Sequence, residues 1–210
     1  MKREFWIALC LLAAFGLWTA ALGVVDVASI GPEGSSVGFA GLNAFGHRLT
    51  GVHMALYTLT DWLGLVPLGV VAGFGLLGLS QWIRRRSLRK VDGDLLLLGV
   101  FYLVVLGAYM LFEVLVVNWR PVLIEGRLEP SYPSSTTMLV LCVMPTAALR
   151  LGTRNRVITP AIAVFAAFMV VGRLISGVHW FSDILGGCLL SGGLVMLYCA
   201  AAKWLARKIK

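Results

Sequence analysis

The chain has 210 residues, of which 59% are hydrophobic and 13% charged, about half the charged share of an ordinary soluble domain. Its mean hydropathy is +0.88. So few polar groups cannot cover a water-soluble globule of this size, which excludes a soluble enzyme, a disordered chain and a disulfide scaffold. The net charge of +8 comes from 18 Lys and Arg against 10 Asp and Glu. In a membrane chain the placement of those charges carries the information, and no nucleic-acid partner is implied.

A spanning helix needs about 20 mostly apolar residues. Six segments qualify: Phe5–Val25, Trp62–Ile83, Leu95–Val117, Pro133–Leu151, Val157–Ile175 and Asp183–Ala202. They are too long and too uniformly apolar for barrel strands. The expected fold is therefore all-α, a polytopic membrane protein with a six-transmembrane-helix bundle forming a single domain over residues 1–210.

The first segment opens with Lys2 and Arg3 and ends in small residues, as a signal peptide does. Its apolar run exceeds the usual ~7–15 residues of such peptides, so an uncleaved helix is expected. Asp26–Asp61 is a long loop, rich in Gly and Ser at Gly31–Gly41 and amphipathic through Leu42–Leu59, where it is expected to lie along the membrane surface. After the second segment comes the basic cluster Arg84–Lys90, an orientation signal first and an anionic-lipid contact second. The four cysteines, Cys10, Cys142, Cys188 and Cys199, sit inside apolar runs with no metal-ligand spacing.

Placing the N-terminus inside puts 14 cations on inner segments, among them Arg84, Arg85, Arg86, Arg150, Arg154, Arg156, Lys208 and Lys210. Four fall outside: Arg48, Arg120, Arg127 and Arg173. The positive-inside rule thus gives six spans with both termini inside, and the plasma membrane is the expected location.

The outer exceptions have telling neighbours. Asn118-Trp119-Arg120-Pro121 begins one outer loop and Ser131-Tyr132-Pro133-Ser134-Ser135-Thr136-Thr137 ends it. A helix starting near Pro133 would present free N–H groups and the hydroxyls of Ser134, Ser135 and Thr136, an anion site. The third element runs from Arg173 to His179 and Asp183. With the last helix starting near His179, that histidine and Asp183 share a face, and the carboxylate would orient the imidazole for attack. Trp119 and Trp180 suit an aromatic belt. Glu125, Arg127 and Glu129 read as solvated loop charges.

These residues resemble the type 2 phosphatidic acid phosphatase superfamily of membrane lipid phosphatases. Its motifs are Lys, six residues, Arg-Pro; Pro-Ser-Gly-His; and Ser-Arg, five residues, His, three residues, Asp. Arg173, His179 and Asp183 match the third, with Gly172 in place of Ser. Arg120-Pro121 ends the first, but its Lys position holds Glu113. Pro133-Ser134-Ser135-Thr136 stands for the second, with Thr136 in place of histidine.

The resemblance implies a lipid phosphate or diphosphate substrate drawn from membrane lipids, no cofactor and no metal. It makes His179 the nucleophile that becomes phosphohistidine, with Asp183 orienting it. Arg120, Arg173 and Ser134 hold phosphate oxygens, with Ser135 and Thr136 beside them. The missing histidine is the family's acid for the leaving group, and its loss costs about 10²–10⁴ in rate. A leaving group that is already a weak base suffers less, so an isoprenyl diphosphate or another phosphoanhydride is the expected substrate. His47, His53 and Glu113 are candidate auxiliaries, Glu113 by pairing with a site arginine or by donating a proton. A non-catalytic member that binds or translocates a lipid phosphate is the alternative.

Overall fold

The computed structural model describes residues 2–151 and 157–208. Arg154, Arg156 and Lys210, which enter the charge count, lie outside the described residues. Eight α-helices appear among those described: α1 Lys2–Leu22, α2 Ala40–Thr50, α3 Met54–Leu63, α4 Leu65–Arg85, α5 Gly93–Val114, α6 Ser135–Arg150, α7 Ile158–Ile175 and α8 Phe181–Lys208. By length and composition α1, α3 with α4, α5, α7 and α8 can cross a membrane, and the apolar α6 is shorter. These carry the six expected segments, with ends displaced by a few residues.

The displacements have local causes. Pro133 lies outside α6, because the cap, Ser134, has non-helical backbone; its N–H goes to the Asp183 carbonyl at 3.1 Å. The ψ of 111° at Ser134 keeps it, and Pro133 before it, out of the helical turn. The last helix starts at Phe181, after a turn at Gly177, and runs beyond Ala202 to Lys208. The amphipathic loop segment folds as α2 and α3.

Helix α8 is the buried centre of the bundle and runs antiparallel to α1, with Lys203 paired to Glu4 at one end. At the other end Trp18 of α1 donates its indole N–H to the Ser182 carbonyl at 3.1 Å. Glycines let neighbours approach α8 closely, as in other membrane helix contacts. A Cβ on Gly186 would meet the Tyr132 ring at 2.4 Å. Tyr132 in turn stacks on Phe15 and bonds the Thr19 hydroxyl at 2.7 Å, which anchors the segment leading into α6.

Away from the Trp18–Ser182 contact, Arg85, Asp92, Asp94 and Arg150 tie the ends of α4, α5 and α6 together. The end that carries Ser182 receives the segment with α2 and α3, the α5–α6 connection and the α7–α8 turn. All three motif segments therefore meet there.

Candidate active site

The α5–α6 connection is pinned by paired backbone. Trp119 bridges Pro130 and Ile124 bridges Arg127 in antiparallel fashion. Ser131 N–H donates to the Asn118 carbonyl at 2.9 Å. This register sets Asn118 and Ser131 side by side against Asp183. Asn118 Nδ2 donates to Asp183 Oδ1 at 3.0 Å, and Ser131 Oγ donates to Oδ2 at 2.5 Å. The Trp180 N–H also reaches Oδ2, at 2.9 Å. Asp183 is fully buried, and a carboxylate there is supportable because donors saturate it.

His179 and Asp183 do not pair directly, as the sequence had suggested. Because α8 begins at Phe181, Asp183 turns to cap Trp180, and the Ser131 hydroxyl stands between the two side chains. His179 Nδ1 lies 3.0 Å from Ser131 Oγ. A serine has one O–H to give, and here it goes to Asp183. The bond to the imidazole must then run from Nδ1–H to Ser131 Oγ. That assignment leaves Nε2 with its lone pair, and Nε2 is buried without a partner.

Burial holds the His179 imidazole well below the usual histidine pKa, and the charges of Arg120 and Arg173 lower it further. Near neutral pH the imidazole is therefore neutral. Gly177 makes the turn before it, at φ +70°, and a Cβ there would strike the Gly51 carbonyl oxygen at 1.9 Å.

The motif residues also carry free donors. Arg120 Nη1, Arg173 Nη1 and Ser134 Oγ are buried with no hydrogen-bond partner. Tyr57 of α3 lies against both guanidinium groups, at 5.9 Å from Arg120 and 4.9 Å from Arg173. Each arginine also meets a carboxylate. Arg173 Nη2 donates to Asp61 Oδ1 at 3.0 Å and to Thr136 Oγ1 at 2.5 Å. Arg120 Nε lies 3.2 Å from Glu129 Oε2, without the alignment of a hydrogen bond. Gly172, where the motif has Ser, packs on Thr60, whose Cγ2 would lie 2.8 Å from an added Cβ.

Glu129 is thus an arginine partner and no free loop charge. Glu113 forms no ion pair among the described residues, because the hairpin brings Glu129 to Arg120 instead. Glu113 lines a small cavity with His179, Ser131, Pro133 and the half-buried Ser135. Of the two loop histidines, His47 packs against the turn that carries His179, its ring 5.5 Å from that of Trp180. His47 Nε2 contacts the Gly177 carbonyl at 3.1 Å, and His53 Nε2 contacts the Thr50 carbonyl at 2.8 Å. Trp180 is buried, with its indole N–H on the Trp119 carbonyl at 2.8 Å, and is no belt residue. Among the described residues no group of three or more His, Cys, Asp or Glu side chains could hold a metal ion.

Sequence reasoning missed Ser131, Asn118, Tyr57, Asp61 and Asn43. The last accepts the Ser182 N–H at 3.1 Å and gives its amide to Ser182 Oγ at 3.0 Å. Asn118 and Ser131 flank the motif segments, and the pairing of their backbones was the available signal. Asp61 and Tyr57 reach the site only through the tertiary packing of α3 on α7.

Residues 114–207 match the family model of the PAP2 superfamily. Among curated proteins, none matches the chain. The structure is similar to the crystal structure of the first transmembrane PAP2-type phosphatidylglycerolphosphate phosphatase from Bacillus subtilis, at 19% identity and TM-score 0.60 over 98% of each chain. At that identity the likeness speaks for the fold. The matched segment holds Arg173, His179 and Asp183, and over those residues the chain is similar to the PAP2 superfamily, on a membrane fold like that of the phosphatase structure.

Proposed function

We propose that this chain is an integral-membrane lipid phosphatase that hydrolyses a lipid diphosphate through a phosphohistidine on His179. The observation that carries the reading is a set of unpartnered, buried polar atoms on the motif residues, His179 Nε2, Arg120 Nη1, Arg173 Nη1 and Ser134 Oγ, with both arginine charges acting on the imidazole. Leaving such groups unsatisfied costs free energy, and a phosphoryl group offers oxygens to the donors and phosphorus to the nitrogen. Arg120 and Arg173 would take phosphate oxygens from Glu129 and Asp61, trading one anion for another. Asp183, through Ser131, would balance the charge that appears on the imidazole. The bundle acts as one domain, with both termini cytoplasmic and the site at the extracytoplasmic face of the plasma membrane, by the charge bias.

The lipid part of the substrate has a place beside the site. A cleft of ≈ 1010 Å³ runs between α4 and α5 with α6 as its floor, lined by residues such as Phe74, Trp82, Gly99 and Leu103. Tyr109, Ser135 and Met138 line both this cleft and the cavity at His179. An apolar chain in the cleft would bring its headgroup to the nucleophile.

Thr136 cannot protonate a leaving group near neutral pH, so a phosphoanhydride is favoured over an alcohol ester. Purified protein in detergent and chelator should release phosphate from an isoprenyl diphosphate, and His179→Ala should not. Phosphatidate should react about 10²–10⁴ more slowly. Comparable rates on the two lipids would remove the diphosphate preference. No release above the mutant would favour the second reading, a non-catalytic lipid-phosphate binder. The carboxylates already on both arginines speak for that reading.

A further inference from the structure

The proposed reaction leaves its second half without a base. In the first half, His179 Nε2 forms a bond to phosphorus, the bond from phosphorus to the leaving oxygen breaks, and the lipid phosphate departs with the electron pair. In the second half, water must attack the phosphohistidine, and something must take its proton. Thr136 cannot do so, because its hydroxyl is no base near neutral pH and already meets Arg173.

We infer that Glu113 is the general base that activates this water. The inference rests on the phosphatase reading above. Glu113 and His179 line one cavity, together with Ser131, Pro133 and Ser135. Its volume is ≈ 10 Å³, close to the ~10–15 Å³ that a single water requires. The carboxylate is free for the task, because Arg120 is matched by Glu129 and Arg173 by Asp61. Tyr109, one turn earlier on α5, lines the same cavity. Glu113 is exposed, so a proton taken there has a path to solvent.

The step balances. Water oxygen bonds to phosphorus as its proton passes to the Glu113 carboxylate. The phosphorus–Nε2 bond breaks and its electron pair returns to the imidazole, which keeps its Nδ1 proton on Ser131 throughout. Inorganic phosphate leaves, and Glu113 then gives its proton to solvent. An anion where the motif has Lys thereby gains a role, although it weakens phosphate attraction.

The test separates the halves. Full-length protein is mixed with an isoprenyl diphosphate radiolabelled in its terminal phosphate, then quenched in alkali, where phosphohistidine survives. Wild type should show a small labelled-protein burst followed by steady release. Glu113→Gln should keep the burst and lose steady release by about 10²–10⁴-fold, so that labelled protein accumulates. Glu113→Asp, which keeps a carboxylate, should label equally and recover part of the turnover. Loss of burst and release together in both variants would overturn the inference, as would unchanged release in Glu113→Gln. Steady release by His179→Ala at the wild-type rate would instead overturn the phosphohistidine reading itself.

Discussion

Ser131 bridges the buried imidazole and the buried carboxylate, with 3.0 Å on one side and 2.5 Å on the other. Ser131→Ala would strand the Nδ1–H of His179 and take one donor from Asp183. An unsatisfied buried group of this kind costs ~1–3 kcal/mol, so kcat should fall about 10- to 100-fold, with KM little changed because the phosphate donors remain. Steady-state kinetics on the diphosphate substrate checks this, and an unchanged kcat would show that the bridge is idle. The arginines give a second prediction, in pH. Burial and the charges of Arg120 and Arg173 depress the His179 pKa, so the free enzyme should keep its nucleophile neutral well below pH ~6.5. Removing one positive neighbour makes protonation easier and raises that pKa. Arg120→Ala should therefore move the acid limb of the kcat/KM profile to higher pH, besides weakening phosphate binding. A limb that stays in place while KM rises would mean that burial alone sets the pKa.

At the scale of elements, what was legible followed from uniform rules. Apolar runs of sufficient length gave the spanning helices, because lipid forces the backbone to satisfy itself. The spacing of Arg173, His179 and Asp183 was legible because the three lie within one short turn and its flanks. The α5–α6 connection was not legible. Its isolated bridges carry no alternating apolar pattern, yet its register decides that Ser131 and Asn118 meet Asp183. The α3–α7 contact was hidden for a different reason: Asp61 and Arg173 are 112 positions apart, and no local signal spans such a distance. Close helix approach makes a prediction of its own. A Cβ on Gly186 would meet the Tyr132 ring at 2.4 Å, and Tyr132 precedes the cap of α6. Gly186→Ala should overpack this joint by about 1–3 kcal/mol and lower Tm in detergent by roughly 3–10 °C. Activity should fall with it, because Ser131 is the next residue along. An unchanged Tm would show that the Tyr132 anchor yields freely.

For the whole molecule, the cleft between α4 and α5 offers the proposed lipid substrate a way to the buried histidine. Its α5 lining from Leu95 to Tyr109 extends about 21 Å at ~1.5 Å per residue. That is more than half of a hydrocarbon core of about 30 Å. A chain moving from lipid into this cleft exchanges one apolar surround for another, so little affinity is gained. The gain is positional. A chain seated in the cleft holds its headgroup at the junction of Tyr109, Ser135 and Met138, next to His179, and that ordering lowers the entropic cost of attack. Gly99 offers a direct check, since a Cβ there meets nothing within 4 Å and a larger side chain would enter the cleft without disturbing the helix. Gly99→Trp should lower kcat/KM at least about 10-fold for a long-chain isoprenyl diphosphate, an effect of ~1.4 kcal/mol. It should leave a short-chain, water-soluble diphosphate unaffected, because such a substrate does not extend into the cleft. Equal losses on both substrates would mean that the substitution disturbs the site. No loss on either would place the lipid chain outside the cleft, with the headgroup reaching His179 from the aqueous side alone.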